Sequence, residues 1–176
     1  MNNGKAVRVA IIFSFLVILS KSVVFASSAY VLPYPSTMPG NKMYKLRLIF
    51  EQAEKYWYFG SLSQFKYNLS LSDKYLVEAK TLFEYKQFLL AYSSLQKSND
   101  YFSKAPYFLV LAKKEGKEIN EKKDIFRSAS EKHQEVLKIL EEELPDVYTW
   151  TPEKEKSSEL QIKNAIEKAI EIRKQI

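Results

Sequence analysis

The chain has 176 residues, with 27 Lys or Arg against 21 Asp or Glu for a formal net charge of +6; 46% are hydrophobic and none is cysteine. That length suffices for one domain with a core of its own, and the missing thiol excludes a disulfide, a diacylated-cysteine lipoprotein anchor and a cysteine nucleophile. Lys and Glu are interspersed along the chain, so the positive balance makes no case for a nucleic-acid partner.

At the N-terminus, Lys5 and Arg8 precede an apolar run from Val9 to Leu19 and a polar break at Ser20, Lys21 and Ser22. That is the order of regions in a secretory signal peptide. Small residues at the −3 and −1 places set the cut after Ala26, with Ala29 as a second position. An uncleaved anchor is the alternative, because Val9 to Ala26 approaches the roughly 20 apolar residues that cross a bilayer, but Lys21 lies inside that stretch. The expectation is an extracytoplasmic protein, secreted or associated with the cell envelope. Removing 1–26 takes Lys5, Arg8 and Lys21, leaving 24 basic residues (27 less 3) against 21 acidic, or +3.

Residues 27–40 read as an extended leader, since YVLPYPSTMPG is rich in proline and aromatics. Residues 41–176 read as a single helical domain. Asn41 caps a first helix with apolar positions Tyr44, Leu46, Leu48, Ile49, Ala53, Tyr56 and Trp57, ended by Gly60. Ser61 or Ser63 opens a second, carrying Phe65, Leu69, Leu71, Leu76, Ala79, Leu82 and Phe83. A break at Tyr85 to Gln87 leads to a third helix, bent at Pro106 and stopped by Gly116, with two separate helices as the alternative. Asn120 caps a fourth that runs to about Leu144, with Phe126, Ala129, His133, Val136, Leu137 and Leu140 on one face. Thr151, Pro152 and Glu153 stand in the preferred order for the start of a final helix through Leu160, Ile162, Ala165, Ile166, Ala169 and Ile170. The fold class is all-α: four or five antiparallel helices in a bundle or stacked helical hairpins, preceded by the signal helix.

Three blocks carry a family resemblance. The first is LPYPSTMPGNKMYKLRL with Pro39, Tyr44 and Leu46, in which Arg47 stands in place of a lysine and Asn41, Lys42 and Met43 in place of His-Pro-Leu. The second places Ser72, Asp73, Lys74, Leu76, Glu78 and Ala79 ahead of Lys97 and Tyr101; the third is SEKHQEVLKILEEELP, with His133, Glu135, Val136 and Leu137, followed by AIEKAIE. Together they resemble a bacterial family of exported helical proteins containing a domain of unknown function. The resemblance implies fold and export, and no chemistry.

Candidate chemistry is sparse. Lys74 and Glu78 lie four apart, which a surface ion pair of about 0.2 to 0.5 kcal/mol explains without catalysis. His133 is the only histidine, flanked by Glu131 and Glu135; a bundle metal site wants Glu-x-x-His on two helices, so a satisfied, half-buried histidine is the reading. No Gly-x-Ser-x-Gly turn or phosphate loop occurs. The sequon at Asn68 falls mid-helix, and no second copy supports a helical repeat array. Tyr56, Trp57, Tyr58 and Phe59 form one aromatic run, and Tyr148 with Trp150 a second pair. They suit a carbohydrate, peptide or membrane contact, or core packing at helix ends, the reading favoured for a bundle this small. The expected function is therefore that of a non-enzymatic exported bundle, an interaction module with a protein or envelope component as partner. No cofactor, metal or nucleic acid is expected, and a membrane is met only through an uncleaved N-terminal segment. The alternative is a bundle that holds a small ligand or metal between its helices, with His133 and nearby acids as polar contacts.

Overall fold

The computed structural model describes residues 29–154 and 156–175, so the expected signal segment lies outside the described residues. In chain order these form α1 (Lys42–Trp57), α2 (Ser61–Glu84), α3 (Phe88–Lys114), α4 (Asn120–Glu143), β1 (Val147–Trp150), β2 (Ser158–Gln161) and α5 (Ile162–Lys174). An irregular leader precedes α1.

The sequence of α3 explains its central place. Its buried positions alternate small and large: Ala91, Leu95, Ser98, Phe102, Ala105, Leu109 and Ala112. The small residues recur every seventh position, a heptad spacing that keeps one seam turned to a partner helix. The answering seam on α2 is Phe65, Leu69, Ser72, Leu76, Ala79 and Phe83. Ser61 reaches Glu115 and Ser94 reaches Glu78, so α2 and α3 run in opposite directions. At mid-length, Ser72 and Ser98 donate to each other's backbone carbonyls at 3.0 and 2.8 Å. A second hairpin joins α4 to α5, with Ser130 against Arg173 at one end and Asp146 against Lys163 at the other.

Two apolar clusters fill the space between the hairpins. One gathers Leu76, Phe83, Leu95, Leu137, Leu140 and Ile166, the other Phe65, Leu69, Phe102, Leu109 and Phe126. Along α2, α3 and α4 the boundary between the clusters falls at buried polar residues: Ser72 and Asp73, Ser98 and Asn99, Ser130 and His133. The α2–α3 turn places Lys86 at φ 58, and the turn after α3 places Gly116 at φ 74. Both make the hydrogen bonds of a Schellman motif, Gln87 N–H to the Leu82 carbonyl and Lys117 N–H to the Ala112 carbonyl. Lys86 does so without glycine's freedom at positive φ.

Some local readings agree with this fold. Asn41 caps α1 by accepting from the Met43 N–H at 2.9 Å, and α3 continues through Pro106 as one helix.

Others are corrected. The chain is mostly helical but not all-α: β1 and β2 pair antiparallel, Tyr148 opposite Leu160 and Trp150 opposite Ser158. The Thr151, Pro152, Glu153 sequence accordingly starts no helix, and α5 begins at Ile162. Glu153 to Ser158 holds no apolar side chain, so a helix there would have no face to bury. Val147 to Trp150 is instead β-branched and aromatic, which suits a strand, and Tyr148 lies on Phe88 with ring centroids 4.6 Å apart. Asn120 is the first residue of α4 and not its cap; its N–H is taken by the Glu118 carboxylate at 2.8 Å.

Candidate functional site

Three features compete for the functional role, two of them buried. The first crosses the bundle centre. Asp73 on α2 accepts from the Tyr30 hydroxyl at 2.6 Å and lies 2.8 Å from Nε2 of His133 on α4. Arg173 on α5 donates from Nε to His133 Nδ1 at 3.0 Å, which puts the imidazole proton on Nε2 and directs it at Asp73. The Arg173 guanidinium also donates to Asn99 Oδ1 at 2.7 Å and Ser98 Oγ at 2.8 Å, and lies over the Phe102 ring. His133 and Arg173 are wholly buried. Burial, reinforced by the charge of Arg173, pulls His133 down to about 4, against the pull of Asp73. The imidazole is thus the neutral middle of a carboxylate–imidazole–guanidinium chain, more deeply enclosed than the half-buried histidine expected. Both its nitrogens are engaged, and Arg173 fills the place where a catalytic triad would hold its nucleophile. Among the described residues no group of three His, Asp or Glu is placed to hold a metal.

The second feature lies between α1 and the α2–α3 hairpin. Arg47 pairs with Glu51 on its own helix at 3.2 Å and with Glu78 on α2 at 2.7 Å, and also donates to Ser36 and the Thr37 carbonyl of the leader. Lys74 pairs with Glu51. Tyr44 and Ser94 donate to Glu78 at 3.0 and 2.7 Å, and Tyr75 donates to Glu51 at 2.6 Å. Burial and then Arg47 pull the Lys74 amine down to about 8, while burial and then Glu78 push the Tyr44 hydroxyl up to about 12. Lys74 and Glu78 are therefore not the exposed i, i+4 pair read from their spacing: each has its partner on α1, because α1 covers that face of α2.

The third feature follows from the second. With Arg47 and Glu51 turned inward, α1 turns its apolar face to solvent. Met43, Leu46, Ile49, Phe50, Ala53, Tyr56 and Trp57 are all exposed, Phe50 at 64% and Trp57 at 73%. At 100° per residue they form an arc about 140° wide. Of the apolar positions assigned to this helix, only Tyr44 and Leu48 lie on the inner side, both half-buried. The aromatic pairs part company. Tyr56, Trp57 and Phe59 are exposed, whereas Tyr58 packs on Tyr67 with centroids 5.1 Å apart, and Tyr148 and Trp150 are half-buried in β1.

Comparison with family models, curated proteins and solved structures finds no match to this chain.

The other positions singled out in the sequence are dispersed. Leu76, Ala79, Val136 and Leu137 are core; Pro39 is half-buried in the leader; Glu135 pairs with Lys132 at 2.8 Å. Lys97 lies over the Tyr75 ring, and Tyr101 stacks on that same ring at 5.7 Å. Sequence reasoning missed Tyr30, Arg47, Glu51, Ser98, Asn99 and Arg173. Two of these left a signal: Ser98 stands in the small-residue heptad of α3, and Arg173 follows Ile162, Ile166 and Ala169 on the buried stripe of α5. A charge or hydroxyl at a core step implies a buried partner.

Proposed function

We propose that this is an exported helical-bundle protein without catalytic activity of its own, acting as an interaction module at or outside the cell envelope through the outward face of α1. One observation carries the reading: α1 sets Arg47 and Glu51 against the bundle and leaves its apolar face in solvent. Contiguous exposed apolar surface on a folded domain is the mark of an interaction site. The buried acids and bases support it, since His133, Arg173, Glu51 and Glu78 are each paired inside the protein. Export and kinship with the bacterial family of exported helical proteins belong to the same proposal; they rest on the N-terminal pattern and the three sequence blocks. Retention by the envelope tests it. In the full chain, combined Leu46→Gln, Phe50→Gln and Trp57→Gln should leave the melting curve in place and shift the protein from envelope to soluble fractions. Unchanged retention with an unchanged fold rejects the reading.

The alternative, a small ligand held between helices, has one observation in its favour. A groove of about 590 Å³ between α2 and α4 is lined by Leu62, Phe65, Leu69 and Ile125, with Tyr30 and Asp73 beside them. A ligand there raises apparent stability by mass action, so a thermal-shift screen with no response removes it.

A further inference from the structure

Resting on the reading of α1 as the interaction surface, we infer that its partner is an anionic lipid surface, in which α1 lies parallel to the bilayer plane. Charge is the first argument. Glu51, one of the two acids of α1, is turned inward and neutralised by Arg47 and Lys74. The exposed charges left on the helix are Lys42, Lys45 and Lys55 against Glu54; at 100° per residue Lys42 lies within the apolar arc and Lys45 at one edge of it, with Glu54 at the other edge and Lys55 on the opposite side. An amphipathic helix with Lys beside the apolar face and Trp, Phe and Leu on it is the form that lies in a lipid interface.

Shape is the second argument. The face is the convex side of a single helix about 24 Å long. A second copy or a partner protein would need a matching groove or further contacts; a headgroup boundary accepts a convex helix as it is. The third argument is where the aromatics sit. Tyr56, Trp57 and Phe59 gather at the C-terminal end of α1, all more than 70% exposed, and the rings of Tyr and Trp, with an apolar body and a polar tip, settle at the headgroup level. Finally, the chain reaches α1 from the apolar run Val9 to Leu19 through a short leader, so a retained N-terminal segment would hold α1 at a membrane, and a cleaved one would leave α1 as the contact. This departs from the expectation that a membrane is met only through the N-terminal segment. No helix of the described residues is long and apolar enough to cross a bilayer, which suits a helix that lies on one.

The test uses a chain beginning at Ser27, which keeps every residue of both core clusters and removes Val9 to Leu19 as a competing lipid contact. Trp150→Phe leaves Trp57 as the only tryptophan, so its emission reports α1. With vesicles of equimolar phosphatidylglycerol and phosphatidylcholine, Trp57 should shift to the blue, and the protein should sediment with the lipid. Pure phosphatidylcholine should bind more weakly. Lys42→Gln and Lys45→Gln should each lower affinity about fivefold, and Leu46→Gln with Phe50→Gln should abolish binding with the melting curve unchanged. Vesicle binding that ignores the α1 substitutions overturns the inference. So does a concentration-dependent dimer that the same substitutions dissolve. If vesicles are ignored while envelope retention still depends on the α1 face, the partner is a protein and only the lipid inference falls. If neither depends on that face, the proposed function falls with it.

Discussion

His133 shows how a residue that looks functional in sequence becomes structural by enclosure. Its Nδ1 accepts a hydrogen bond from Arg173 Nε and its Nε2 faces Asp73, so a second proton would add a cation beside a guanidinium in a fully enclosed site. The folded value of about 4 therefore lies below the ordinary one of 6.5. With the folded value depressed, the unfolded chain takes up the proton first as pH falls. The stability due to neutral His133 is complete above pH 6.5 and drains away between 6.5 and 4. The slope is at most about 1.4 kcal/mol per pH unit. Urea midpoints measured from pH 7 to 4.5 should fall along that window, and His133→Gln, which takes no proton there, should flatten the fall. An equal slope in both proteins would assign the acid sensitivity to other groups.

Among the elements, α1 is held differently from the rest. α2 to α5 meet through apolar seams, whereas α1 is fixed by Tyr44, Arg47 and Glu51 reaching polar groups of α2 and the leader. Polar contacts of this kind come apart at lower cost than a packed seam, so α1 is the first helix to open. Glu78 is the hub, since Tyr44, Arg47 and Ser94 all converge on its carboxylate. Glu78→Gln keeps the shape and removes the charge. A hydrogen bond to a charged group contributes roughly 1.5 to 3 kcal/mol, so amides of α1 should exchange at least about tenfold faster. Those at the centre of α3 should stay unchanged. Exchange that rises equally in α1 and α3 would show that α1 opens only with the whole bundle.

For the whole molecule, the polar layer between the two apolar clusters decides how the hairpins register. Arg173 is its keystone: through Asn99 and Ser98 it holds α3, through His133 it holds α4, and through Asp73 beyond His133 it reaches α2 and the leader. Arg173→Met keeps much of the volume and leaves Asp73 without its counter-charge and Asn99 without its donor. Breaking one side of a buried charged network costs about 3 to 5 kcal/mol, and the loss should appear as one cooperative shift in a urea titration of the full chain. A change under about 1 kcal/mol would mean that water or Met packing replaces the guanidinium without penalty.

The helices themselves were legible because their signals are local. The apolar stripe of α2, the cap at Asn41, the stop at Gly116 and the stripe from Ile162 to Ile170 depend on neighbours within a turn or two. The hairpin of β1 and β2 was not, because the Pro152 start signal is overruled by a pairing between Val147–Trp150 and Ser158–Gln161 and by a ring contact to Phe88 on another helix. The candidate surface splits in the same way. An apolar stripe with Tyr56 and Trp57 could be read from Lys42–Trp57 alone, and so could its helical spacing. Which way the stripe faces could not. Periodicity fixes that a helix has two faces, but only the tertiary fold sets the buried Glu78 and the Lys74 amine beneath α1, and those charges draw Arg47 and Glu51 inward and leave the apolar side to the solvent.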